Sequence, residues 1–88
     1  MMIPSVHLNG TSQKNLLAEL ETAYSAVNAA NDALRQVTVH GRDYYVQGDH
    51  AYPQARHEMD ARLGALEQVM SDLLVMHQAI ERSEGCLT

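Results

Sequence analysis

Apolar residues return along this chain at alternating intervals of four and three. One run goes from Leu16 through Leu20, Ala23, Val27, Ala30 and Leu34 to Val37. A second goes from Met59 through Leu63, Leu66, Met70, Leu73 and His77 to Ile80, with His77 as its polar member. A 4,3 repeat keeps one stripe of a helix turned toward a partner, so each run predicts a helix with a coiled-coil seam. Leu17 and Tyr24 widen the first seam on one flank, while Ala26, Ala29 and Ala33 keep much of the remaining surface small, which lets another helix come close. In the second run, four successive apolar residues from Leu73 to Met76 make the helix apolar around most of its circumference. One partner helix cannot cover all of that surface.

Breaker and cap residues place the boundaries. Pro4 and the alternation of Val6 and Leu8 with polar neighbours predict an extended N-terminal arm over residues 1–10. Asn9-Gly10 turns the chain, and Thr11 or Ser12 supplies the N-cap of a helix over 11–38. A Gly/Tyr loop over 39–52 follows. A second helix over 53–84 then starts with Pro53 in its first turn, where the missing N–H costs nothing, and stops before Gly85, leaving a tail over 85–88. The expected fold is one all-α domain over 1–88, an antiparallel hairpin of two long helices behind an extended arm. Two helices leave each seam half covered, which predicts a homo-oligomer, a dimer or a larger helical bundle.

Composition narrows the setting. A domain of 88 residues usually needs a disulfide, a metal or oligomerisation as reinforcement, and Cys86 is the sole cysteine. A lone thiol fits a reducing cytosol, no stretch approaches the roughly 20 apolar residues of a membrane span, and Met-Met-Ile-Pro-Ser lacks the features of a signal peptide. The expectation is a cytoplasmic protein with no membrane contact. The formal charge of -5 argues against a broad nucleic-acid surface. Its distribution is uneven: three Arg and three His face four acids from His40 to Arg62, whereas from Leu63 onward Arg82 alone faces Glu67, Asp72, Glu81 and Glu84. Phe and Trp are absent, and Tyr44, Tyr45 and Tyr52 sit in or beside the loop.

Two segments carry candidate chemistry. The loop from His40 to Asp49 contains Gly41 and Gly48, as a connector should, but also Arg42, Tyr44 and Tyr45, which a connector does not need. Tyrosine faces stack on planar groups, and a guanidinium grips phosphate or carboxylate through a fork of donors. Alternatively Tyr44 and Tyr45 cover the open end of the bundle, with Arg42 paired to Asp43 or Asp49. The second segment, Asn9-Gly10-Thr11-Ser12-Gln13-Lys14, offers free helix amides, two hydroxyls and a cation in a first turn where acids are normally favoured. It reads either as an anion site or as an ordinary cap with a solvated lysine. Asn9, Thr11, Ser12, Lys14, Arg42, Tyr44 and Tyr45 are thus the candidate ligand-binding residues. Within one hairpin the two groups lie at opposite ends of the first helix, roughly 40 Å apart, so a composite site requires an antiparallel neighbouring chain.

Other chemistries find little support. His57-Glu58-Met59-Asp60 lacks the second histidine of a zinc-protease helix, and neither a metal nor a cofactor is expected. His77 reads as a core polar residue that sets register, and its protonation, if it is buried, should oppose assembly. No nucleophile elbow or phosphate loop is present, and Glu19/Glu21 and Glu58/Asp60 are two apart and do not share a helical face. The expectation is a protein without enzymatic activity.

At His7-Leu8-Asn9-Gly10-Thr11-Ser12 and Gly41-Arg42-Asp43-Tyr44-Tyr45-Val46-Gln47-Gly48 the chain resembles a group of small proteins encoded by bacteriophages and prophages. The resemblance covers nearly the whole chain and brings no activity with it. In size, helical-hairpin character and candidate site the chain is also similar to phage anti-defence sponges, helical oligomers that sequester the nucleotide second messengers of bacterial immune systems such as CBASS and Thoeris. That likeness implies a small anionic, nucleotide-like ligand held without turnover. An inhibitor or adaptor that docks on a host or phage protein through its helix faces is the alternative, and a structural virion or assembly component is a third possibility.

Overall fold

The computed structural model describes residues 1–83. The expected last helical residue Glu84, the stop at Gly85 and the tail with Cys86 lie outside the described residues. Two long helices dominate: α1 spans Gln13–Arg35 and α2 spans Ala51–Arg82, with two short 3-10 turns, Gly41–Asp43 and Tyr45–Gln47, between them. No strand occurs among the described residues. The helices pack along their lengths in antiparallel fashion, because Gln13 lies beside Ile80, Glu21 beside His77 and Arg35 beside Glu67. The molecule is a rod with extents of 65 × 20 × 18 Å.

Local chemistry sets the ends of α1. Ser12 is the N-cap, with extended backbone and a hydroxyl that accepts from the Asn15 amide at 3.2 Å, so the helix begins after Thr11. The repeat predicts helix as far as 38, but α1 stops at Arg35. The β-branched run Val37-Thr38-Val39 disfavours further helix, and the last amides instead close 3-10-type bonds, Gln36 to Ala33 and Val37 to Leu34, both at 3.1 Å. Val37 therefore leaves the seam and is exposed. α2 begins at Ala51, two residues before the predicted start. Pro53 then falls third in the helix, still within the first turn, whose amides have no intrahelical partner.

Along α2 every heptad position from Met59 to Ile80 is at least half-buried, and along α1 so are Leu16, Leu20, Ala23, Val27 and Leu34. Ala30 is exposed and its neighbour Asn31 is buried in its place. At 100° per residue Asn31 lies about 60° round from Leu16, on the flank of the half-buried Leu17 and Tyr24, so the covered face of α1 is offset from the heptad seam toward that flank. The resulting core is thin: among the described residues Ile80, 1% exposed, and Asn31, 5% exposed, are the two counted as buried. One hairpin covers each seam from one side only.

Candidate functional site

The N-terminal half of the expected site is built on the cap of α1. The Ser12 carbonyl and hydroxyl are both engaged, accepting from Leu16 N at 2.9 Å and from Asn15 N at 3.2 Å. Gly10 N donates to the His7 carbonyl at 3.2 Å, and the His7 imidazole lies so close over Gly10 that a Cβ there would stand 2.7 Å from Nε2. Asn9 and Thr11 are exposed, and Asn9, Gly10 and Ser12 line an open hollow with Val6, Leu8 and Gln13, of which Thr11 is not part. Lys14 is exposed, the first turn of α1 contains no acid, and among the described residues no carboxylate oxygen lies within 4.0 Å of its ammonium.

The other half lies in the loop. Its amides are used locally, by bonds from Asp43 to His40, Tyr44 to Gly41, Gln47 to Tyr44 and Gly48 to Tyr45. Gly48 adopts φ 112°, a conformation that glycine alone takes up without strain, and it aims the chain into α2. Tyr44 is half-buried against the first turns of α2, in a small polar hollow with His50, Gln54 and Glu58. Tyr45 is 75% exposed. The two tyrosines therefore divide the alternatives: Tyr44 covers the helix start, and Tyr45 presents its ring to solvent. Arg42 is exposed and makes no ion pair with Asp43 or Asp49.

Asn9, Thr11, Ser12 and Lys14 thus stand at one end of the rod and Arg42, Tyr44 and Tyr45 at the other. α1, with 23 residues, separates them by about 35 Å. A single chain does not bring them together.

A feature that the heptads did not disclose lies between the helices. Leu20, Tyr24, Leu73 and Leu74 wall an open groove of ≈ 380 Å³ on one flank of the hairpin. His77 borders it, with Nδ1 2.7 Å from a Glu81 oxygen and Nε2 3.5 Å from Glu21 across the helix pair. The side chain is 20% exposed and lies beside two carboxylates. The Glu81 partner was visible as an i,i+4 spacing, whereas Glu21 is brought in only by the pairing of the helices. Toward the loop end of the helix pair Arg35 is salt-bridged to Glu67 and donates its Nε to Asn31 Oδ1 at 2.9 Å. Among the described residues no group of three or more His, Cys, Asp or Glu is placed to hold a metal ion.

Compared with protein-family profiles, curated proteins and solved structures, the chain matches none of them. No helix of the described residues is long and apolar enough to cross a membrane. The functional reading therefore rests on the residues themselves.

Proposed function

We propose that this chain is a non-enzymatic, homo-oligomeric binding protein that holds a small anionic, nucleotide-like ligand at an intersubunit site. Lys14 and Arg42 would contact phosphate, the exposed ring of Tyr45 would stack on a base with Tyr44 beside it, and Asn9, Thr11 and Ser12 would add polar groups at the helix start. The observation that carries this reading is the state of the two cations. Arg35 and Arg56 are paired with carboxylates, whereas Lys14, Arg42, Arg62 and Arg82 are exposed with no acidic partner among the described residues; of these four, Lys14 and Arg42 lie in the segments that also present hydroxyl or aromatic groups. In the phage setting that the sequence suggests, tight binding in the bacterial cytoplasm would remove a host immune signal, and sequestration needs no turnover.

Titration calorimetry against cyclic di- and trinucleotides and cyclic ADP-ribose isomers tests it. Saturable heat with at least one of them, lost in Arg42→Ala while the helical circular dichroism persists, is expected. Absence of heat across the panel contradicts the reading. A second reading, docking on a host or phage protein through the helix faces, draws on the exposed Val69, Leu74 and Val75 of α2. It predicts loss of function on changing those residues and none on changing Arg42.

A further inference from the structure

We propose that His77 is a proton-operated tie between the two helices: a second proton on its ring joins α2 to α1 through Glu21, and the hairpin is held more tightly near pH 6 than near pH 8. The proposal concerns the single chain and rests on neither the ligand nor the oligomer of the proposed function.

His77 differs from the other histidines in its surroundings. His7, His40, His50 and His57 are exposed, whereas the side chain of His77 is 20% exposed and sits where α1 and α2 meet. Both of its ring nitrogens face carboxylates. Nδ1 lies 2.7 Å from Glu81, one turn further along α2, and Nε2 lies 3.5 Å from Glu21 on α1. Two bare acceptors do not approach to 2.7 Å, so the single proton of the neutral ring belongs on Nδ1. Nε2 is then a lone pair turned toward a carboxylate. It is buried and has no hydrogen-bond partner among the described residues.

A buried acceptor left unmatched costs free energy, and a proton taken from solvent removes that cost by turning Nε2 into a donor aimed at Glu21. The imidazolium then faces one carboxylate on each helix, and hydrogen bonds between ionised groups are stronger than neutral ones. Burial of the ring opposes the charge. The groups around it favour the charge: the titratable neighbours are Glu21 and Tyr24 on α1 and Glu81 on α2, and neither Lys nor Arg lines the groove beside the ring. Both carboxylates are more than half exposed and keep water of their own, so the cost of desolvation falls on the ring alone. The tie closes the same end of the hairpin at which Gln13 Nε2 donates to the Ile80 carbonyl.

The sign of the pH dependence follows from linkage. A proton held more tightly by the folded chain than by the unfolded one adds stability that is fully present below the ordinary histidine value of about 6.5 and is lost as the pH rises above it. Urea unfolding of the full chain, at one protein concentration and at pH 6 and pH 8, tests the proposal. The wild-type midpoint is expected to be higher at pH 6, with a folded-to-unfolded ratio about threefold or more greater at a given urea concentration. Glu21→Gln discriminates, because its amide can donate to Nε2 of the neutral ring, and Glu21 is 66% exposed, so the change leaves the core alone. That variant is expected to be at least as stable as wild type at pH 8 and less stable at pH 6. His77→Gln is expected to lose the rise. A wild-type midpoint that is equal or lower at pH 6, or a rise of the same size in Glu21→Gln or His77→Gln, overturns the tie.

Discussion

Asn31 occupies the inward position that the heptad count assigns to Ala30, and its amide is only partly satisfied. Oδ1 accepts from Arg35, but the buried Nδ2 has no partner. A buried donor without an acceptor costs about 1–3 kcal/mol, and such residues are retained in helical seams where they fix register. Asn31→Leu is therefore expected to raise the unfolding free energy by about 1 kcal/mol, read by urea titration; a fall would show that the Arg35 contact outweighs the orphan donor. Ile80 is the opposite case, an apolar side chain with nearly complete cover, whose carbonyl also accepts from Gln13 Nε2 at 3.0 Å. Ile80→Ala should cost about 2–5 kcal/mol, a large share of the stability of so thin a core. The seam spacing places Ile80 in the core, whereas the burial of Asn31 and the contact of Ile80 with Gln13 were not legible in the chain. Which flank of α1 is covered, and with it the burial of Asn31, depends on how the helices pair, and so does the position of Ile80 opposite Gln13.

The elements themselves were legible in broad outline. Both helices, the antiparallel return and Pro53 in the first turn of α2 follow from seam spacing and breaker residues. The ends shifted by two or three residues because caps and β-branched runs act locally, outside the reach of a seven-residue repeat. Ser12 is the clearest example: the sequence leaves Thr11 and Ser12 as equal cap candidates, and only Ser12 reaches the Asn15 amide. Ser12→Ala is expected to destabilise α1 by about 1 kcal/mol, measurable as a lower urea midpoint, and Thr11→Ala to have little effect. In the loop Gly48 rather than Gly41 carries the conformational demand, since its φ is 112° whereas a Cβ on Gly41 would make only ordinary contact with Tyr52. Gly48→Ala should cost about 1 kcal/mol or more, while Gly41→Ala should be tolerated. The same substitution would misalign the Arg42–Tyr45 loop, so its effect on ligand binding should exceed its effect on stability.

At the scale of the whole molecule, the chain is a 65 Å rod that leaves apolar residues exposed along α2. The candidate residues split between its ends, and no rearrangement within one hairpin can join them across α1. Partner binding that stabilises the folded chain makes the thermal midpoint rise with protein concentration, and the homo-oligomer of the proposed function predicts that rise. The orientation of the chains decides whether a composite site exists at all. The most direct measurement is crosslinking between chains that carry one new cysteine each, Thr11→Cys or Tyr45→Cys, both with Cys86→Ser, mixed and treated with a short bismaleimide. An antiparallel dimer predicts that the mixed Thr11→Cys with Tyr45→Cys adduct dominates. Absence of that adduct, or dominance of adducts between two identical positions, would contradict it.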